Sequence, residues 1–153
     1  MGLLDDFSDE ITCVSFLFLK GIGPKRGRKI IGTLSRANGS IDEYVNAVSG
    51  VMQRGATFSL DAARNALNAA RSEIQEAEAL GIKVIPVTSG MYPRNLSIIP
   101  DGPLALFLLG DVDAMSKNRQ VAVVGTRKPS SKGAVFCQRI TRTLVEGDVT
   151  IIS

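Results

Sequence analysis

The chain has 153 residues, 44% of them hydrophobic and 5% aromatic, with a formal net charge of +3. That length suits one ordinary domain or two small ones, and the composition is that of packed aliphatic layers, which excludes a disordered tail. Histidine is absent, so imidazole is excluded as a base or a metal ligand, and Cys13 and Cys137 lack metal-ligand spacing; no metal and no cofactor are expected.

The two isolated cysteines read as buried thiols of a reduced protein. No apolar run approaches the roughly 20 residues that span a bilayer, and the start, with Asp5, Asp6, Asp9 and Glu10, is acidic where a secretory signal is basic. A soluble, cytoplasmic protein with no membrane partner is the expectation.

Residues 1–80 read as helical. Ser8 is placed to cap a first helix whose opening turn holds Asp9 and Glu10, with Ile11, Val14 and Phe18 on one face. The β-branched and aromatic run from Thr12 to Leu19 also tolerates a strand. Lys20-Gly-Ile-Gly-Pro24 follows, a glycine-flanked turn whose proline suits the first position of a helix. Along that helix Gly27, Ile30, Ile31 and Leu34 share one face, while at about 100° per residue Lys25, Lys29 and Arg36 fall opposite, with Arg28 beside them. From Lys20 to Arg36 there are six cations and no carboxylate, a local positive field inside a nearly neutral chain.

This stretch resembles the helix-hairpin-helix motif, which offers backbone N–H groups to a nucleic-acid phosphate without reading sequence. The resemblance implies DNA contacts at Lys20, Gly21, Gly23, Lys25 and Lys29. A hairpin that merely joins two helices, with its cations in solvent, would show the same pattern.

Past the Asn38-Gly39 turn, Ser40 and Glu43 form a capping box for a short helix to about Ser49. Ser59 caps a longer one, in which Leu60, Ala63, Leu67, Ala70, Ile74 and Ala77 recur at three- and four-residue steps up to Gly81. There the period changes, and a domain boundary is expected. Ile82–Val87 and Leu104–Gly110 read as strands, the first ended by Pro86, and Pro100-Asp-Gly-Pro103 is turn chemistry between them.

Val121–Val124 is an uninterrupted apolar run, as in a parallel strand covered on both faces. Directly after it stand Gly125, Thr126, Arg127, Lys128 and Ser130. Glycine permits a tight turn, Ser130 or Ser131 can cap the next helix, and free N–H groups in that helix's first turn favour an anion. The stretch reads as a phosphate-binding strand-turn-helix; an ordinary strand-to-helix turn with solvated cations is the blander reading. It contains neither G-x-G-x-x-G nor G-x-x-x-x-G-K-[ST], which removes the usual support for dinucleotide chemistry and triphosphate hydrolysis. A helix over about 131–146, packing Cys137, Ile140 and Leu144, ends at Gly147 before a strand at Val149–Ile152, and a strand-helix-strand unit of this length calls for parallel pairing.

The order Tyr92-Pro93, Leu96, Pro103, the strand ending at Gly110, Val-Gly-Thr-Arg at 124–127, Ser130, Gly133 and Ile152-Ser153 resembles the DNA-processing protein A (DprA/Smf) family. What that implies is an α/β fold: an all-helical, helix-hairpin-helix or SAM-like domain at 1–80, then a truncated Rossmann-like parallel β/α domain at 81–153. It further implies a binding protein and not an enzyme, one that holds and protects single-stranded DNA and loads RecA onto it in natural transformation. The family's Gly-Ser-Arg turn falls on Gly125, Thr126 and Arg127, where threonine keeps the hydroxyl.

In the family the last strand leads on into a Ser-Gly-x-Ala-x-Gly-x-Asp loop, whereas this sequence stops at Ser153. A fragment is the favoured explanation, ahead of a shortened relative or of an edge completed by another copy, as a homodimer, or by another chain. DNA affinity is accordingly expected to be weak. The alternative function is a Rossmann-like enzyme or sensor of a nucleotide or phosphoribosyl ligand, since such folds bind those groups at the same strand ends.

Overall fold

The computed structural model describes residues 8–34, 40–52, 57–117 and 119–153. Serine capping sets where several helices begin. Ser8 Oγ accepts from Ile11 N–H at 3.3 Å to open α1 (Asp9–Ser15), whose chain runs on into a 3₁₀ turn at Phe16–Phe18. Pro24 opens α2 (Pro24–Leu34). The expected capping box is present at α3 (Ile41–Val51), with Glu43 N–H donating to Ser40 Oγ at 3.2 Å and Glu43 Oε2 accepting from Ser40 N–H at 3.0 Å. Ser59 caps α4 (Leu60–Ala79) through Ala62 N–H. That helix ends where Gly81 takes φ +72°, a left-handed conformation that glycine adopts without steric penalty.

Two compact units make up the chain, Met1–Gly110 and Asp111–Ser153. In the first, the helices enclose Cys13, Phe16, Ile22, Ile30, Tyr44, Val48, Ala63 and Leu67, joined by Leu104. Small residues on α4 (Ala63, Ala66, Ala70, Ala77) are all buried and permit close approach of neighbours. A buried polar link crosses this core. Ser15 Oγ donates to Thr12 O at 2.7 Å and lies 2.6 Å from Tyr44 Oη, so the tyrosine hydroxyl is left as the donor to serine.

Strands β1 (Lys83–Pro86) and β2 (Ala105–Leu108) pair antiparallel, Lys83 opposite Leu108 and Pro86 opposite Ala105, and pack on α1 and α4. A parallel sheet throughout 81–153 was the expectation; among the described residues, parallel pairing is confined to β3 and β4. The reason lies in the connection. Between the strands is a one-turn helix, α5 (Arg94–Ser97), and Tyr92 Oη donates to Pro103 O at 2.7 Å, closing the loop so that Val87 N–H meets Leu104 O at 2.8 Å. The chain is thus returned beside itself in the opposite direction.

The second unit holds α6 (Asp113–Ser116), β3 (Gln120–Ala122), α7 (Ser131–Glu146) and β4 (Thr150–Ile152). Here β3 and β4 pair parallel, Gln120 opposite Thr150 and Ala122 opposite Ile152, as the strand-helix-strand spacing requires. The helix ends at Gly147, but the left-handed residue is Asp148 at φ 56°. The molecule is an α/β protein. No helix among the described residues is long and apolar enough to cross a membrane.

Two expectations of burial fail in this unit. The run Val121–Val124 is not a strand covered on both faces: Val121 is 39% exposed and Val124 87% exposed, beyond the end of β3. Cys137 is exposed as well, Ile140 is 41% exposed and Leu144 half-buried. With α7 as the one long helix and β4 as the one partner of β3 among the described residues, residues 111–153 have too few layers to enclose their own apolar side chains.

Candidate nucleic-acid interface

Two basic turns carry the residues singled out from the sequence, one in each unit. In the hairpin before α2, Gly21 adopts φ +85°, where a side chain would be strained, and Ile22 is 7% exposed and anchors the turn in the core. Ile22 N–H donates to Leu19 O at 3.1 Å, and Gly27 N–H donates to Gly23 O at 2.9 Å to begin the helix. Gly23 has no side chain with which to cap, so the amides of Lys25 and Arg26 in the first turn of α2 stay available to an external anion. Lys20, Gly21, Gly23, Lys25 and Lys29 are all exposed. None of these lysines forms an ion pair among the described residues.

Two neighbouring arginines behave differently from the lysines. Arg26 Nη1 donates to Gly21 O at 2.6 Å, clasping the hairpin from the helix side; only its position one turn into the helix hints at this in the sequence. Arg28, expected beside the outward cations, instead turns onto the C-terminal end of α5, where Nη1 donates to Ser97 O at 3.3 Å and Nη2 to Leu96 O at 3.5 Å. Its Nε is buried without a partner among the described residues. Ser97 O lies at the last residue of α5, where a carbonyl has no intrahelical donor, and Leu96 O already accepts from Ile99 N–H at 3.3 Å, so Arg28 supplements the capping of this helix end. Arg36 lies outside the described residues.

At the second turn, Gly125, Thr126, Arg127, Lys128 and Ser130 are exposed in succession after β3. Thr126 Oγ1 accepts from Lys128 N–H at 3.2 Å, and Ser130 Oγ accepts from Gly133 N–H at 3.1 Å as the cap of α7. Both hydroxyls therefore keep their hydrogens for an outside acceptor such as a phosphate oxygen. Arg127 has no carboxylate partner among the described residues. Gly125 has an ordinary φ and room for a Cβ, so the backbone there does not demand glycine. The first turn of α7 carries no acid, and Lys132 stands exposed within it.

Neither thiol has the setting of a nucleophile. Burial pushes the Cys13 thiol up to about 12, with the Asp9 carboxylate adding to the effect, while Cys137 is simply exposed. Burial also raises the Tyr92 hydroxyl above its usual range, with the Arg28 charge opposing the shift. That tyrosine is structural, since its hydrogen bond ties it to Pro103. Tyr92, Leu96 and Pro103, spaced signals in the sequence, are thus brought together in one loop.

The chain is an α/β protein in which a helical module precedes a short β/α segment. Residues 83–153 match the family described as DNA recombination-mediator protein A. Among curated relatives, the DNA processing protein DprA of Bacillus subtilis is 37% identical over 73 residues, which is 48% of this chain and 25% of that protein. Protein Smf of Synechocystis is 38% identical over 65 residues, 40% of this chain and 16% of the relative. DNA processing protein DprA of Streptococcus pneumoniae is 40% identical over 62 residues, 40% and 21% respectively. The similarity to the DprA/Smf family is thus carried by residues 83–153, and the matched stretch spans a quarter or less of each relative's length.

Proposed function

We propose that the chain is the DNA-holding part of a recombination mediator. It grips single-stranded DNA by its phosphates, shields the strand and presents it to RecA during natural transformation, acting by binding and not by catalysis. It divides functionally near residue 81, into a hairpin-bearing helical module and a DprA-type module, and a second copy of the chain can share the strand. The single observation that carries this reading is the turn Gly125–Ser130: exposed, free of carboxylate partners among the described residues, and set at the start of α7 inside the family-matching segment. The hairpin residues Lys20, Gly21, Gly23, Lys25 and Lys29 supply further phosphate contacts of the same sequence-independent kind.

Arg127→Ala tests it. Affinity for oligothymidine should fall, and the slope of log K against log salt should flatten by about 0.7 for each phosphate left without its cation. Lys25→Ala and Lys29→Ala should act in the same direction. An unchanged slope in Arg127→Ala removes that side chain from the interface. Thermal stabilisation by mononucleotides and not by oligothymidine would replace the reading with a small-ligand one.

A further inference from the structure

Beside the hairpin lies a groove of about 520 Å³ whose lining includes Phe18, Ile22, Met52, Phe58, Asn65 and Lys20. Among the described residues its walls are mostly apolar, with the Lys20 cation and the Asn65 amide on the rim. The hairpin itself forms part of the wall, since Lys20 and Ile22 belong to both.

We propose that this groove receives an unpaired nucleobase from the strand whose phosphate rests on the hairpin. The inference builds on the proposed phosphate contacts and adds a site for the base. Charge complementarity selects the occupant: a ligand with an anionic linkage and a flat, weakly polar ring next to it matches Lys20 and free first-turn amides adjoining an apolar slot.

The aromatic wall is held ready for stacking. Phe16 and Tyr44 stack with centroids 6.0 Å apart, and Tyr44 meets Phe58 at 6.2 Å and 58°, so Phe58 is fixed from behind by a core whose Tyr44 is fully buried. Phe18, in the 3₁₀ turn leading to the hairpin, is 45% exposed and presents a second ring. Asn65 on α4 is exposed and makes no hydrogen bond to the described residues; its amide offers a donor and an acceptor to a base edge, which accommodates any base.

The test uses the whole chain and two strands of equal length and charge, one of thymidines containing a 2-aminopurine and one of abasic deoxyribose phosphates. The base-bearing strand should bind about tenfold tighter, within the range of one stacked base, and 2-aminopurine fluorescence should change on binding. Phe18→Ala, at a half-exposed position, should remove most of that difference while leaving abasic-strand binding alone, and Asn65→Ala should reduce it more modestly. Equal binding of the two strands overturns the base site and leaves the phosphate contacts standing. Failure of both strands to bind removes the phosphate contacts, and the base site with them. A dimer that dissociates in Phe18→Ala, with base-independent DNA binding, assigns the groove to a second copy and overturns the proposal.

Discussion

Gly21 and Gly27 occupy the same hairpin region for different physical reasons. At Gly21 the backbone lies in the left-handed region, so Gly21→Ala should cost about 1–2 kcal/mol even though space is available. Gly27 has ordinary geometry, but an added Cβ would collide with Leu104 Cδ1 and crowd Phe16, so Gly27→Ala should cost about 1–3 kcal/mol through overpacking. Gly23 meets neither constraint, and its alanine variant should cost least, about 0.5 kcal/mol, through alanine's poorer fit at an N-cap. Urea denaturation of the three variants checks this ordering; a Gly23 variant as unstable as the Gly27 one would contradict it.

Burial moves two ionisations at this same scale, Cys13 from 9.0 and Tyr44 from 10.0, each to about 12. In both the neutral form is favoured in the folded state, because the folded value is raised above the unfolded one. The stabilisation is complete below about pH 9 and is lost as pH climbs through about 12. Urea midpoints should therefore fall with rising pH in this alkaline window. Thiol labelling should modify Cys137 at once and Cys13 only on opening of the core, and equal labelling rates would show that the pocket around Cys13 is not closed.

Among the elements, α4 and α7 make the sharpest contrast. Both have serine caps, but α4 buries Ala63, Ala66, Leu67, Ala70, Ile74 and Ala77, and α7 buries no residue. Amides of α7 should exchange with solvent faster than those of the central turns of α4, and mass-spectrometric hydrogen exchange will read the difference. Ser130→Ala should accelerate α7 further, by removing a cap worth about 1 kcal/mol.

Caps at Ser8, Ser40, Ser59 and Ser130, together with Pro24 and the stop at Gly147, were legible in the sequence because each depends on a few adjacent residues. The exposure of Val124 and the antiparallel pairing of β1 with β2 were not, since layer number and strand direction are decided by distant parts of the chain. The turn at 125–130 showed its charge and cap in the sequence, whereas the clasp of Arg26 and the diversion of Arg28 depend on which carbonyls the fold leaves nearby.

Considered whole, the molecule joins a unit with an enclosed core to one with few layers. Its unfolding should not follow a single transition. Both tyrosines, Tyr44 and Tyr92, are in residues 1–110, while helical circular dichroism includes α7. On heating, ellipticity should begin to fall before tyrosine fluorescence changes, and coincident curves would mean that the two units melt as one.

The position of Arg28 bears on any attempt to engineer the basic helix. Neutralising Lys25 and Lys29 strips charge from a wet surface, and the scaffold should tolerate it. Neutralising Arg28 would unmoor the segment around Leu96 and Ser97, so its effect would register in a melting curve and not in a titration with salt. A charge-reversal screen that treated every cation of that helix alike would mistake a broken strut for a missing handhold.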